Sequence, residues 1–167
     1  MKRIAYLLIL SLSLSACKNE ESKNTVNTAS IDVQKDTTQQ LSIEERADKL
    51  KEEGYQTFLY KDGDSTYLMQ QYFMVFLKSG KIRSQDSTEA AQLQSKHLAH
   101  LSRMAKEGYA SLIGPFDDNG DVRGIVVYNT KTLKEADSLA NLDPMVKAGR
   151  LEVEVHPWWT AKGGKLN

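Results

Sequence analysis

Cysteine is nearly absent from this chain: Cys17 is the single thiol among 167 residues. One thiol cannot close an internal disulfide, form a CxxC redox pair or build a thiolate zinc site, so any fold here rests on its apolar core. An excess of charge is missing too, with 22 Lys plus Arg set against 22 Asp plus Glu. Without a basic surplus to neutralise successive phosphates, nucleic acid is not expected as a partner. Long hydrophobic runs are also lacking. The longest, Ile4 to Leu14, is broken by serines and falls short of the roughly 20 residues a spanning helix requires.

That short run carries information of another kind. Lys2 and Arg3 precede it, which gives the charged-then-apolar order of an export signal. It ends in Leu14-Ser15-Ala16-Cys17, which resembles the lipobox of bacterial lipoproteins. The resemblance implies that residues 1–16 are removed and that the Cys17 sulfur receives a lipid. The domain would then be held on a membrane of the cell envelope, on the periplasmic or the surface side. An ordinary secretory signal followed by a free thiol is a second reading of these residues, and a cytosolic protein with a buried apolar N-terminus is a third, against which the polar tract that follows argues. Loss of Lys2 and Arg3 would leave 20 basic residues against 22 acidic ones.

From Cys17 to residue 41 the chain is polar, with only Val26, Ala29, Ile31 and Val33 as scattered apolar positions before Leu41. Such a segment buries too little surface to offset its ordering entropy, and it is expected to act as a flexible linker reaching about 25–30 Å. Residues 42–70 then read as an extension made of a helix and a hairpin. Ser42 and Glu45 have capping-box spacing for a helix running to Gly54, and Asp62-Gly63 separates two strand-like runs.

The main domain is expected over residues 71–160. Tyr72 to Lys78 is a continuous apolar strand, and Asp86 with Glu89 caps a helix that runs to Lys106 and stops at Gly108. Tyr109 to Gly114 and Arg123 to Asn129 read as strands around a turn at 116–121. A second helix begins at Thr132, with Glu135 in position to complete its capping box, and Leu151 to His156 alternates as a final strand. This β-α-β-β-α-β order is the ferredoxin-like split unit of an α+β fold.

Two histidines share the first long helix. Leu93, His97, Leu101 and Met104 recur at helical spacing, which places His97 on the apolar stripe, whereas His100 sits with Lys96, Arg103 and Glu107 and is expected at the surface. A histidine on such a stripe is ordinarily a satisfied core residue, but it is also where a proton acceptor would stand. Asp143, directly before Pro144, suits the N-cap of a short turn to Ala148; it also suits the role of a carboxylate that orients a histidine ring. Tyr72, Arg123 and Tyr128 could add polar groups or be plain strand residues. Trp158 and Trp159 are expected to end the last strand and to pack across a dimer seam or cap the barrel.

The segments Tyr72-Phe73-Met74-Val75-Phe76-Leu77, His97 to Leu101 with Gly108, Gly114-Pro115-Phe116, Gly124-Ile125, Asp143-Pro144 and Ala148-Gly149 together resemble the YCII (YciI-like) family. The resemblance implies a homodimeric α+β barrel of ferredoxin-like units. It implies a pocket in which His97 and Asp143 form an acid-base pair, lined by Gly114 and Pro115, with no metal and no cofactor. Lyase or isomerase chemistry on a small cyclic substrate follows as one expectation. A non-catalytic envelope module that binds a small molecule or a protein is the alternative, and a purely structural role has no sequence feature in its favour.

Overall fold

The structure is a computed structural model and describes residues 41–166. What is expected of residues 1–40, including the lipobox and Cys17, lies outside that range.

The first element, α1 (Ile43–Glu52), starts where the sequence places it: Ser42 Oγ accepts the Glu45 N–H, and the Glu45 carboxylate accepts the Ser42 N–H. After β1 (Thr57–Asp62) comes a turn with Gly63 at φ +55°, then β2 (Ser65–Ser79). The antiparallel hairpin pairs Thr57 with Gln70 at one end and Asp62 with Ser65 at the other. No interruption follows it. β2 continues for 15 residues, so the boundary drawn at Gln71 falls inside a strand that the hairpin and the main domain share.

The remaining elements are α2 (Ser87–Lys106), β3 (Ala110–Pro115), β4 (Val122–Tyr128), α3 (Leu133–Ala140), α4 (Pro144–Lys147) and β5 (Leu151–Ala161). Asp86 caps α2 by accepting the Thr88 and Glu89 N–H groups, and Gly108, at φ +81°, turns the chain out of it. Thr132 caps α3, but the Glu135 carboxylate reaches past it to the Lys131 N–H, so that capping box is displaced by one residue.

β2 is the middle of the sheet. It pairs with β4 over residues 73–78 and with β5 over residues 69–79, while β3 joins the outer edge of β4; every pairing is antiparallel. From β2 onward the spatial order β3-β4-β2-β5 interleaves two split β-α-β units, which makes the fold an α+β of ferredoxin-like type. β5 runs through Trp158 and Trp159 to Ala161 because β2 is long enough to pair with it out to Met69. The two tryptophans therefore lie within the strand instead of closing it.

Alternation along β2 sends Phe73, Val75 and Leu77 to one face, where they meet Val126 and Tyr128 of β4 and Met104 of α2. Burying each of the large apolar side chains is worth about 1.5–3 kcal/mol, and this cluster supplies the domain's core. Met145 of α4 and Ala136 and Ala140 of α3 complete the cover. The intervening residues Met74 and Phe76, with His156 and Trp158 of β5 on the same face, point away from these helices.

Candidate functional site

α2 carries His97 on its buried side because residues 97 and 104, two turns apart, both face the sheet; His97 is 8% exposed and Met104 fully buried. Asp143 reaches the same place from the α3–α4 junction. Pro144 occupies the first position of α4, where its missing N–H costs nothing, and Asp143 stands before it as N-cap. One carboxylate oxygen, Oδ1, accepts the Met145 N–H at 2.8 Å, and the other, Oδ2, lies 2.6 Å from His97 Nδ1. The two readings of Asp143 thus describe one residue in both roles. At 1% exposure it is shut off from solvent, while the ring it holds is not.

The ring lines a cleft of about 420 Å³. α2 supplies Gln94, His97, Leu98 and Leu101 to one wall, and β3 supplies Ile113, Gly114 and Pro115, followed by Phe116, to the other. Leu77, Met145 and Leu151 make the base apolar, and three arginines, Arg83, Arg123 and Arg150, border it. With Nδ1 engaged by the carboxylate, Nε2 is the nitrogen left for a ligand's proton. Gly114 leaves open space where a Cβ would sit, so at that one position the wall is bare backbone. Among the described residues, no group of three or more His, Cys, Asp or Glu is arranged to hold a metal ion.

A second polar layer lies behind the pair. His100, expected at the surface, is 6% exposed. A step of three residues turns a helix by only 60° short of a full circle, so His100 borders the stripe through His97 and Met104, and the burial of Met104 four residues on carries His100 inward with it. Its Nδ1 is 3.4 Å from Arg103 Nη2, and its Nε2 is buried with no hydrogen-bond partner among the described residues. Burial pushes its pKa down, against the opposing pull of the Asp143 carboxylate and with help from Arg103, His97 and Lys147. Tyr128, 1% exposed, has its hydroxyl pushed up to about 12 by burial and by the negative charge of Asp143. It remains a protonated, polar neighbour of the pair and does not line the cleft.

Of the other polar positions considered in the sequence, Arg123 borders the cleft but is tied by Nη1 to the Asp118 and Gly120 carbonyls, 3.1 Å each. Tyr72 is buried beside Tyr55 and is not part of the cleft. Trp159 packs on Phe58 with ring centroids 4.9 Å apart, at the hairpin end of the sheet. Arg83, Arg150 and Gln94 carried no sequence signal. Gln94 comes in on α2 beside His97, and Arg83 and Arg150 reach the cleft only because the loop after β2 and the segment after α4 come together, a contact between residues some 67 positions apart.

Among known proteins, no curated one matches the chain. One solved structure that resembles it is 5-chloro-2-hydroxyhydroquinone dehydrochlorinase from Burkholderia phenoliruptrix AC1100, in complex with 2,5-dihydroxybenzoquinone. The identity is 22% and the TM-score 0.41, over 52% of this chain and 92% of that one. The YCII-related domain matches residues 73–159, more than half of the chain, from the middle of β2 to near the end of β5. That span contains His97, Asp143 and every residue that lines the cleft, and this chain belongs to the YCII-related domain family.

Proposed function

We propose that this protein is a cofactor-independent lyase or isomerase acting on a small cyclic organic compound, with His97 as base and Asp143 as the residue that holds its ring. The observation that carries the proposal is the 2.6 Å contact between His97 Nδ1 and Asp143 Oδ2, made on the wall of a largely apolar cleft. Asp143 fixes the tautomer with the proton on Nδ1, so Nε2 presents a lone pair to the cleft. In the reaction Nε2 takes a proton from a ring carbon. The C–H electron pair forms a new double bond, and either a leaving group departs with its own bonding pair or the proton returns at another carbon. The buried carboxylate stabilises the imidazolium formed in between.

Turnover by the wild-type chain on a panel of ring compounds bearing a leaving group or an enolisable carbonyl tests this. His97→Ala and Asp143→Asn are expected to lose two or more orders of magnitude of activity while remaining folded. Unchanged turnover in His97→Ala would remove His97 as the base.

A second reading has its own support. Because Asp143 Oδ1 already caps α4, the pair also has a purely architectural reason to exist, and the cleft would then serve a binding module. Ligands that stabilise the fold without any product, in a screen wide enough to include the reactive ring compounds, would favour that reading.

The lipobox-like residues Leu14 to Cys17 support a location in the cell envelope, with lipid on Cys17 as the anchor. Cys17→Ser is expected to leave the membrane fraction or stay unprocessed; a processed, lipid-bearing Cys17→Ser product would overturn the anchor. The sheet face that carries Met74, Phe76 and Trp158, opposite the one packed against α2, α3 and α4, supports a homodimer through that face, and light scattering giving a monomer mass at micromolar concentration would count against it.

A further inference from the structure

Acidic side chains are absent from the lining of the cleft, while three arginines border it. The Asp143 carboxylate, held against the cleft's His97, is engaged by the ring and by the Met145 N–H. No arginine of the cleft is within 4.0 Å of a carboxylate among the described residues. Arg123 gives Nη1 to two turn carbonyls, while Arg83 gives only its Nε to the Gly80 carbonyl, at 3.4 Å, and neither of its terminal nitrogens has a hydrogen-bond partner among the described residues.

Gly80 and Gly149 bring those two together. The Gly80 N–H donates to the Arg150 carbonyl, and the Ile82 N–H donates to the Gly149 carbonyl, both at 3.0 Å. This backbone approach is so tight that a Cβ on Gly80 would stand 2.7 Å from the Arg150 carbonyl carbon. Gly149 turns with φ +66° against the Ile82 side chain. The loop after β2 is thus fastened to the entry of β5, and Arg83 and Arg150 both line the cleft. Arg150 Nη1 donates to the Gln85 amide oxygen at 3.1 Å, a neutral acceptor that orients the guanidinium without discharging it. The acids closest in sequence to Arg83, Asp86 and Glu89, are committed to the cap of α2, and Glu152, two residues past Arg150, pairs opposite Lys78 in the sheet and does not line the cleft.

We infer that the cleft selects an anionic ring compound, with Arg83 and Arg150 clasping a carboxylate or an equivalent planar anionic group and the apolar base holding the ring. The guanidinium fork matches a planar two-oxygen anion, and a partly buried setting weakens the competition from water. Such a clasp turns the ring carbons toward His97, and a negative substrate raises the demand for a base that becomes positive on protonation. The inference deepens the proposed function and rests on its cleft being the ligand site.

The test measures binding of benzoate, benzamide and benzylamine to the full-length chain by calorimetry. Benzoate is expected to bind at least tenfold more tightly than benzamide, with benzylamine weakest, and its affinity should fall as salt screens the clasp. In an Arg83→Gln/Arg150→Gln variant the preference should vanish, whereas Arg83→Lys/Arg150→Lys keeps part of it. A preference under tenfold, no benzoate binding below about 10 mM, or a preference that survives in the Gln variant overturns the clasp. His97→Ala separates the two proposals. If it keeps both the benzoate preference and full turnover, the clasp stands and the base does not.

Discussion

Replacing Asp143, which is 1% exposed, with Ala withdraws two acceptors from a site shut off from bulk solvent. Loss of the N-cap bond to the Met145 N–H costs about 1 kcal/mol. Loss of the partner on His97 leaves a buried ring N–H unmet, at about 2 kcal/mol, so the substitution is expected to cost about 3 kcal/mol in all. Asp143→Asn should cost far less, about 1 kcal/mol, because its amide oxygen can still cap α4. The Asn amide would, however, donate to Nδ1 and put the ring proton on Nε2, so a nearly stable protein would have lost its base. Urea unfolding of wild type, Asp143→Ala, His97→Ala and the double variant closes a thermodynamic cycle. A coupling energy above about 1 kcal/mol is expected; one inside the usual additivity error of about 0.5 kcal/mol would show that the 2.6 Å contact does not form in solution.

His100 makes stability depend on acidity. Its folded pKa is lowered by burial from 6.5, so the stability it contributes is whole above pH 6.5 and is lost as pH falls through the folded value, with a slope of at most about 1.4 kcal/mol per unit. His100→Gln should flatten denaturation midpoints measured between pH 7 and 5, and an unchanged slope would refute the assignment. Gly80→Ala forces a Cβ into the backbone at Gly149 and Arg150; a loss of about 1–3 kcal/mol and weakened benzoate binding are expected, and a neutral effect in both would mean the approach is looser than described.

Capping residues made the helices legible. Ser42, Asp86 and Thr132 each announce a start, and the structure puts a cap at each of them. Strand extent was less readable, since Ser65 to Gln71 alternates weakly and owes its strand state to pairing on both sides: β1 holds it through Gln70, and β5 takes over from Met69. Local pattern carries no record of such partners. The length of β5 follows for the same reason, and Pro157, which lacks a donor, is tolerated opposite Phe73 within it.

The candidate site divides along the same line. His97 and Asp143 were visible because each lies at a position with a local meaning, a stripe residue on a helix and a cap before proline, and the fold had only to bring two such positions together. His100 was misplaced by a count of its polar neighbours Lys96, Arg103 and Glu107, which overlooked that Met104, four residues on, drags it under the helix. Its buried, unpartnered Nε2 is what a residue recruited by packing would show, not one selected as a donor or acceptor. Arg83 and Arg150 stand at the other extreme: in sequence they are two charges in unrelated loops, and their joint position depends on two glycines whose backbones could touch only once the sheet had formed. A clasp assembled this way leaves no motif around either arginine. Its trace in the sequence is instead Gly80 and Gly149, so the glycines are where a search for the same clasp in other chains of this fold should begin.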